Sequence, residues 1–213
     1  MKKYYKPNIY IKDIYQIPIA KLKKDGIKAL VFDLDNTIAM TSEKYPNDKV
    51  VKYFKNLKKD FTLFILSNSP RKRVKPFGDK LEVKCYHLSL KPSTRNMRRL
   101  LRENNLAKED IVLIGDQYMT DMLLAKKLKI KTILVDPISN KEFKITSINR
   151  FLEGKILKKL AEDKILEKGK YYHEYYGQIE KRKHEPHDKL SKRPFTFFHI
   201  THAPYPRLLN NPQ

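Results

Sequence analysis

The stretch Ala29-Leu30-Val31-Phe32-Asp33-Leu34-Asp35-Asn36-Thr37 passes without a break from four apolar residues to two carboxylates and a hydroxyl. A short, continuous apolar run of this kind reads as a strand buried on both faces of a parallel sheet. Polar groups placed directly after such a strand fall at its carboxyl end, where open α/β sheets bind ligands. The same grammar recurs twice downstream. Leu63-Phe64-Ile65-Leu66 leads into Ser67-Asn68, and Ile111-Val112-Leu113-Ile114 leads into Gly115-Asp116-Gln117-Tyr118-Met119-Thr120-Asp121. Between these two, Val83 to His87 reads as another strand, with Lys91-Pro92 just beyond it.

The intervening segments read as helices. Asn47 is placed to cap one running through Val50, Val51, Tyr53, Phe54 and Leu57. Pro70 opens a second that ends near Gly78, and Pro92 suits the first turn of a third through Met97, Leu100 and Leu101. Met119 to Leu128 is expected to be helical. Thr132 to Val135 is a fifth strand, ending at Asp136-Pro137. Residues 146–168 read as a closing helix with Ile148, Phe151, Leu152, Ile156, Leu157 and Leu160 on its apolar stripe. Such β-α alternation predicts a three-layer α/β domain built on a parallel sheet with right-handed crossovers.

The residues gathered at the strand ends suit phosphoryl transfer. Phosphoryl groups are anionic, so an attacking carboxylate needs a cation beside it. Asp33 and Asp116, with the backbone carbonyl of Asp35, offer the hard oxygen ligands that Mg²⁺ prefers. Asp33 is then the candidate nucleophile, forming an aspartyl-phosphate. Asp35, just past the strand end, is the candidate acid and base for the leaving oxygen and the hydrolytic water. Thr37 and Ser67, with Asn68 beside it, are candidate phosphate ligands, joined by the loop amides near Leu34 and Asn36. Lys91 supplies positive charge to the transition state. Asp121 is placed to orient Lys91 or the waters of the metal. Singly, each piece has a plainer explanation: an Asp that caps a helix, a turn at Ser67-Asn68-Ser69-Pro70, a solvated lysine. All of them in order, three at strand ends, favour the chemical reading.

These motifs resemble those of the haloacid dehalogenase (HAD) superfamily of aspartate-nucleophile phosphatases. They are most similar to the YqeG-type members of subfamily IIIA, relatives of the mitochondrial phosphatidylglycerophosphate phosphatases. The lead-in from Ile17 to Lys28, the Gly115-Asp116-Gln117 signature with Thr120-Asp121, and Thr146-Ser147-Ile148-Asn149-Arg150-Phe151-Leu152-Glu153 support the resemblance, which spans about residues 5–176. It implies a HAD-like domain, placed at residues 1–170, while the composition of residues 171–213 reads as a flexible C-terminal extension. The resemblance also implies Asp33 as nucleophile, Asp35 as acid and base, Ser67 and Lys91 on phosphate, and Asp116 on Mg²⁺. Ser69 departs from the pattern, standing where a second asparagine is expected. Ser67 lies thirty residues after Thr37, and Lys91 twenty-four after Ser67. Each gap holds one helix and one strand, which within the resemblance implies no cap domain and an open site for large substrates.

The 213-residue chain has 46 Lys and Arg against 24 Asp and Glu, a net charge of +22. Residues 1–150 hold 33 of the cations and 16 of the acids, so the excess belongs to the catalytic domain and not to a basic tail. A field of this sign attracts anionic lipid surfaces, phosphorylated substrates or nucleic acid. The clusters at Arg71-Lys72-Arg73-Val74-Lys75 and at Arg95, Arg98, Arg99 and Arg102 follow Ser67 and Lys91 closely, and are expected to rim the site.

One cysteine, Cys85, permits no internal disulfide and fits a reducing compartment. No apolar run long enough for a signal peptide or a membrane span is present. The expected setting is cytoplasmic, peripheral on the inner membrane face, with an anionic phospholipid headgroup as substrate, phosphatidylglycerophosphate above all. Soluble phosphomonoesters and nucleic-acid ends are the alternatives, and a basic RNA-binding module is the reading of another class. After about residue 177 the chain turns Pro- and His-rich. The pairs His184/His187 and His199/His202 read as tail more readily than as a metal site, and Phe195, Phe197, Phe198 and Tyr205 as a surface- or partner-binding peptide. Tyr171, Tyr172, Tyr175 and Tyr176 are expected to pack on the domain edge.

Overall fold

All four residues of Ala29–Phe32 are buried, and so are all five of Ile111–Gly115, as double-sided strands require. These two lie side by side at the centre of a seven-stranded sheet in a computed structural model that describes residues 5–139 and 147–173. Along the chain come β1 (Ile9–Ile11), α1 (Ile19–Lys24), β2 (Ala29–Phe32), α2 (Asp48–Leu57), β3 (Thr62–Leu66), α3 (Arg71–Leu81) and β4 (Lys84–Tyr86). There follow α4 (Arg95–Glu103), β5 (Ile111–Gly115), α5 (Leu123–Leu128), β6 (Lys131–Val135), α6 (Ser147–Glu162) and β7 (Tyr172–His173).

The spatial order is β4-β3-β2-β5-β6-β1-β7, parallel throughout except for β7, which runs antiparallel to β1. From β2 the chain winds outward through β3 to β4, then returns to place β5 on the other flank of β2. The direction of winding therefore reverses between β2 and β5. Crevices in open α/β sheets form at such a reversal, outside the carboxyl ends of the strands.

Strand residues alternate between the two faces. Leu30, Phe32, Leu63, Ile65, Val112 and Ile114 pack with Leu22 of α1, Val50, Phe54 and Leu57 of α2, and Val74, Phe77 and Leu81 of α3. Ala29, Val31, Phe64, Leu66, Ile111 and Leu113 pack with Met97 and Leu100 of α4 and Leu124, Ala125 and Leu128 of α5. A third cluster joins Tyr10, Tyr118, Met122 and Leu134 to Leu160 and Leu166, which fastens α6 to the domain. The three-layer α/β architecture is as the sequence predicts. The gap between Thr37 and Ser67 holds only α2 and β3 as regular elements, and that between Ser67 and Lys91 only α3 and β4.

Local chemistry explains where elements start. Asn47 caps α2, its side chain accepting from the Val50 amide at 3.0 Å. Five expectations are corrected. The closing helix expected over residues 146–168 ends at Glu162, and Lys164 just beyond takes a left-handed conformation. The strand at Val83–His87 is confined to Lys84–Tyr86. Helix α3 runs three residues past Gly78, to Leu81, where Glu82 takes a left-handed conformation. Pro92 lies in no helix: the Ser93 amide donates to the Leu90 carbonyl at 2.8 Å, closing a turn around the cis Lys91-Pro92 peptide, and α4 begins at Arg95. The segment from Met119 enters α5 through a π-helical turn, Tyr118–Met122, in which the Met122 amide reaches the Gln117 carbonyl.

Strands β1 and β7 are additions that the sequence pattern did not announce. Tyr172 and His173 pair with Tyr10 and Ile9, so the tyrosine segment closes one edge of the sheet. The opposite edge is β4, whose Cys85 lies half-buried against Gly78 of α3, where a Cβ would come within 2.5 Å of the sulfur. Burial, and then Asp79, push its thiol up to about 12. Among the described residues no helix is long and apolar enough to cross a membrane. The expectations for the His pairs and for the aromatics beyond residue 173 lie outside the described residues, as do those for the side chains of Ile148, Phe151 and Leu152.

Candidate active site

Asp33 extends β2 by one residue, its amide donating to the Ile114 carbonyl at 2.8 Å. Asp116 follows β5, Ser67 follows β3 with its amide on the Tyr86 carbonyl, and Lys91 arrives from the loop after β4. All four side chains are buried, and they converge on the reversal between β2 and β5.

Lys91 is the electrostatic centre. Its Nζ lies 2.7 Å from Asp33 Oδ1 and 2.7 Å from Asp121 Oδ1, and the lysine side chain is 1% exposed. Burial alone would weaken its hold on the proton, but Asp121 and Asp33 more than offset this and hold the ammonium above the ordinary lysine range. Burial likewise pushes Asp33 up to about 7, against the pull of Lys91 and with added repulsion from Asp121.

Asp33, Asp116 and Asp121 each offer a carboxylate oxygen, all within 4.8 Å of one another. Three buried carboxylates around one ammonium leave two negative charges in excess. Buried charge without compensation is costly, so this donor set fits a hard divalent cation held by oxygen. A cation there would also return Asp33 to its ionised, attacking form. The site is thus a candidate metal site by composition, geometry and charge balance.

The sequence-nominated phosphate ligands differ in what they do here. Thr37 Oγ1 donates to Asp116 Oδ1 at 3.1 Å. Ser67 is buried at the strand end, and its Oγ accepts from the Ser69 amide at 3.1 Å, which leaves the hydroxyl proton for another acceptor. The Asn36 amide is engaged by the Ala39 carbonyl, at a left-handed turn with φ 61° that asparagine tolerates. Asn68 is occupied with the β4 loop: its Oδ1 accepts from Ser89 Oγ at 2.7 Å and from the Lys91 amide at 2.6 Å, and its Nδ2 donates to the Lys91 carbonyl. Asn68 therefore sets the position of Lys91.

Asp35 faces a pair of groups that sequence reasoning did not connect to it. Ser69 Oγ donates to Oδ2 at 2.5 Å, and Arg73 Nε donates to Oδ1 at 2.9 Å, with Nη2 also 2.9 Å away. Arg73 further donates to the Met40 and Glu43 carbonyls, tying α3 to the loop after Asp35. The basic cluster at 71–75 is thus split: Arg73 turns inward, whereas Arg71, Lys72 and Lys75 are exposed. Ser69, the departure from the family pattern, is a direct partner of Asp35. Nothing in the linear sequence couples residues 38 positions apart, so only the fold could reveal the Arg73 pairing.

Gly115 shapes the site by its lack of a side chain. A Cβ there would overlap the Asp121 carboxylate and come within 2.8 Å of its Cβ, so the bare backbone is what admits Asp121 beneath Lys91. The Gln117 amide and Thr120 Oγ1 donate to Asp121 Oδ2 at 3.3 and 3.4 Å and fix its second oxygen.

A parallel sheet with its winding reversal at an aspartate, and Asp35, Lys91 and Asp116 on the same rim, defines the class: a phosphatase of the HAD type. The chain matches, over residues 1–139, the family described as mitochondrial PGP phosphatase, and it belongs to that family. It is 34% identical over 161 residues to a protein of Bacillus subtilis (strain 168) named probable phosphatase YqeG, covering 75% of this chain and 94% of that one. Solved structures similar in part include one described as a predicted HAD-like family hydrolase from Porphyromonas gingivalis. It is 14% identical with a TM-score of 0.45, covering 60% of this chain and 98% of that one. A HAD family enzyme from Bacteroides thetaiotaomicron, solved as a magnesium complex, is 12% identical with a TM-score of 0.46, covering 54% and 96%.

Proposed function

We propose that this phosphatase hydrolyses a phosphomonoester through a covalent aspartyl-phosphate on Asp33, with Mg²⁺ as its metal. The observation that carries the reading is the placement of Asp33 on the central strand, 2.7 Å from a buried lysine and grouped with two further carboxylates. Asp33, Asp116 and the Asp35 carbonyl would hold the ion, which when bound supplies positive charge against the phosphoryl oxygens. One Asp33 oxygen attacks phosphorus as the ester P–O bond breaks. Asp35 gives its proton to the departing alkoxide, exchanging one of its two present partners for the leaving oxygen. Lys91 keeps its charge throughout and balances the transferring group, while Thr37 and Ser67 orient it. In the second half, Asp35 takes a proton from water as that water attacks phosphorus, releasing inorganic phosphate and the Asp33 carboxylate.

For substrate we propose phosphatidylglycerophosphate at the inner face of a cytoplasmic membrane. Three facts support this: the family's description, the uncapped site, and a net charge of +22. The test is phosphate release from phosphatidylglycerophosphate in mixed micelles, with Mg²⁺ or with EDTA, for wild type and Asp33→Asn. Mg²⁺-dependent release that the variant abolishes is expected. Turnover of soluble phosphomonoesters alone would keep the chemistry and remove the lipid.

A further inference from the structure

Six large apolar side chains are exposed among the described residues: Met40, Tyr45, Leu88, Leu90, Ile138 and Tyr171. They come from four separate stretches of chain, yet all six belong to the carboxyl end of the sheet. Met40 and Tyr45 follow β2, Leu88 and Leu90 follow β4, and Ile138 follows β6. Tyr171 precedes the antiparallel β7 and donates to Asp136, at the end of β6. Two of these stretches are bonded directly to the site loops. The Ile138 amide donates to the Asn36 carbonyl at 3.0 Å, and the Leu88 amide to the Ser69 carbonyl at 3.0 Å. The loops at the amino ends of the strands carry no exposed large apolar side chain among the described residues.

The Leu88–Lys91 loop is the most constrained of these. Leu88 and Leu90 both have positive φ, 45° and 52°, a conformation that costs a branched side chain free energy. The backbone is nonetheless fixed, by Ser89 donating to the Ser67 carbonyl and by the Asn68 clamp on Lys91. The result is an alternation over adjacent residues. Leu88 and Leu90 are 51% and 71% exposed, whereas Ser89 and Lys91 are buried. Two leucines are thus held rigidly in solvent beside the lysine that touches Asp33.

We infer that this rim is a membrane-docking surface: the leucine loop, with Tyr45 of the loop after β2, enters the outer region of an anionic bilayer and seats the active site on it. Charge selects that occupant. Within residues 36–48, 67–73 and 87–96 the exposed charged side chains are Lys44, Arg71, Lys72, Arg95 and a lone carboxylate, Asp48. Cations around apolar tips suit anionic headgroups above an acyl layer. Geometry selects it too. A protein seated on this rim would cover Asp33, whereas a bilayer brings its own phosphoester to that position. The inference deepens the lipid-phosphate reading and rests on it for its purpose, but its test does not need that substrate.

The experiment uses the full chain and vesicles of phosphatidylcholine with about a third phosphatidylglycerol, in about 0.15 M salt, with no phosphomonoester present. Wild type is compared with Leu88→Asn/Leu90→Asn, a change that removes the apolar groups and suits a left-handed backbone. Sedimentation with vesicles should fall by about tenfold or more in the variant, with the thermal midpoint no lower and turnover of para-nitrophenyl phosphate within about twofold. Tyr45→Ser, on another loop, should weaken binding by a smaller factor. Vesicle binding unchanged in both variants, or absent in wild type, would overturn the inference even if phosphatidylglycerophosphate is hydrolysed. So would a wild-type dimer that the double variant dissolves. Leucine-dependent binding without lipid turnover would uphold the surface and remove the substrate.

Discussion

The two ends of the sheet use the same ionisable residues in opposite ways. At the amino ends, Lys23 pairs with Asp60, Lys28 with Asp110, Lys58 with Glu82 and Lys84 with Glu103, at 2.5 to 3.5 Å and with at least one solvent-exposed partner each. Pairs of this kind are worth about 0–1 kcal/mol each. At the carboxyl ends, Lys91, Asp33 and Asp121 are 1%, 8% and 0% exposed, and carboxylates outnumber the ammonium. Desolvating such a group costs several kcal/mol per ion before any attraction is counted. A domain gains nothing in stability from that arrangement that apolar residues could not supply. The contrast teaches that burial, not residue type, distinguishes charges that serve solubility from charges that serve chemistry.

The contrast can be broken from its costly side first. Asp33→Asn removes the proposed nucleophile, so turnover of any phosphomonoester should fall by about 10⁴-fold or more while the fold persists. Near-normal phosphate release would end the assignment. Lys91→Met should lower activity by about 10³-fold and, by leaving two buried carboxylates without their cation, stability by about 3–5 kcal/mol. Adding Asp121→Asn should recover part of the stability and none of the activity; denaturant titration beside a phosphate assay separates the two.

The pH response arises from Asp33. Its carboxyl is pushed up to about 7 in the folded, metal-free chain, from 3.8 as the ordinary value. Between those two values the folded chain holds a proton that the unfolded chain has lost, so stability falls as pH rises across that window. Thermal midpoints of metal-free protein at the two ends of the window should therefore differ, with the lower midpoint at the higher pH. The difference should shrink in Asp33→Asn. A wild-type midpoint that rose with pH would contradict the burial argument. Gly115→Ala should cost about 1–3 kcal/mol by forcing Asp121 out from beneath Lys91, and activity should drop with it. Least of all, Lys58→Ala at the amino end should change stability by no more than about 1 kcal/mol and leave turnover unaltered. A larger loss there would erase the distinction between the two ends.

Much of this was legible without coordinates, for a physical reason. Buried parallel strands must be apolar on both sides, so β2, β3 and β5 announce themselves, and the polar groups directly after their last apolar residues fall on one rim. Asp33, Ser67 and Asp116 reach that rim in this way and Lys91 joins them from the β4 loop; Lys91 lies 2.7 Å from Asp33, whose carboxylate groups with that of Asp116. The features that escaped detection depend on distance along the chain or on brevity. At three residues β1 shows no periodicity, and β7 has two. Ser69 and Arg73 meet Asp35 only because α3 starts beside the β2 loop. Adjacency to Ser67 nominates Asn68 as a phosphate ligand, but does not announce the bonds its Oδ1 and Nδ2 make to the Lys91 loop. The exposed leucines gave no periodic signal either, since one loop rather than a helix face presents them.

Cys85 offers a clock for the molecule. It is the one cysteine, on the outermost strand, and that strand ends a few residues before the loop that delivers Lys91. With its thiol pushed up to about 12, it is almost wholly protonated near neutrality and slow towards alkylating reagents while β4 stays docked on α3. In an undocked strand it would react as an ordinary cysteine. The ratio of the two alkylation rates therefore counts how often the edge strand lets go, from a single native atom and without any label.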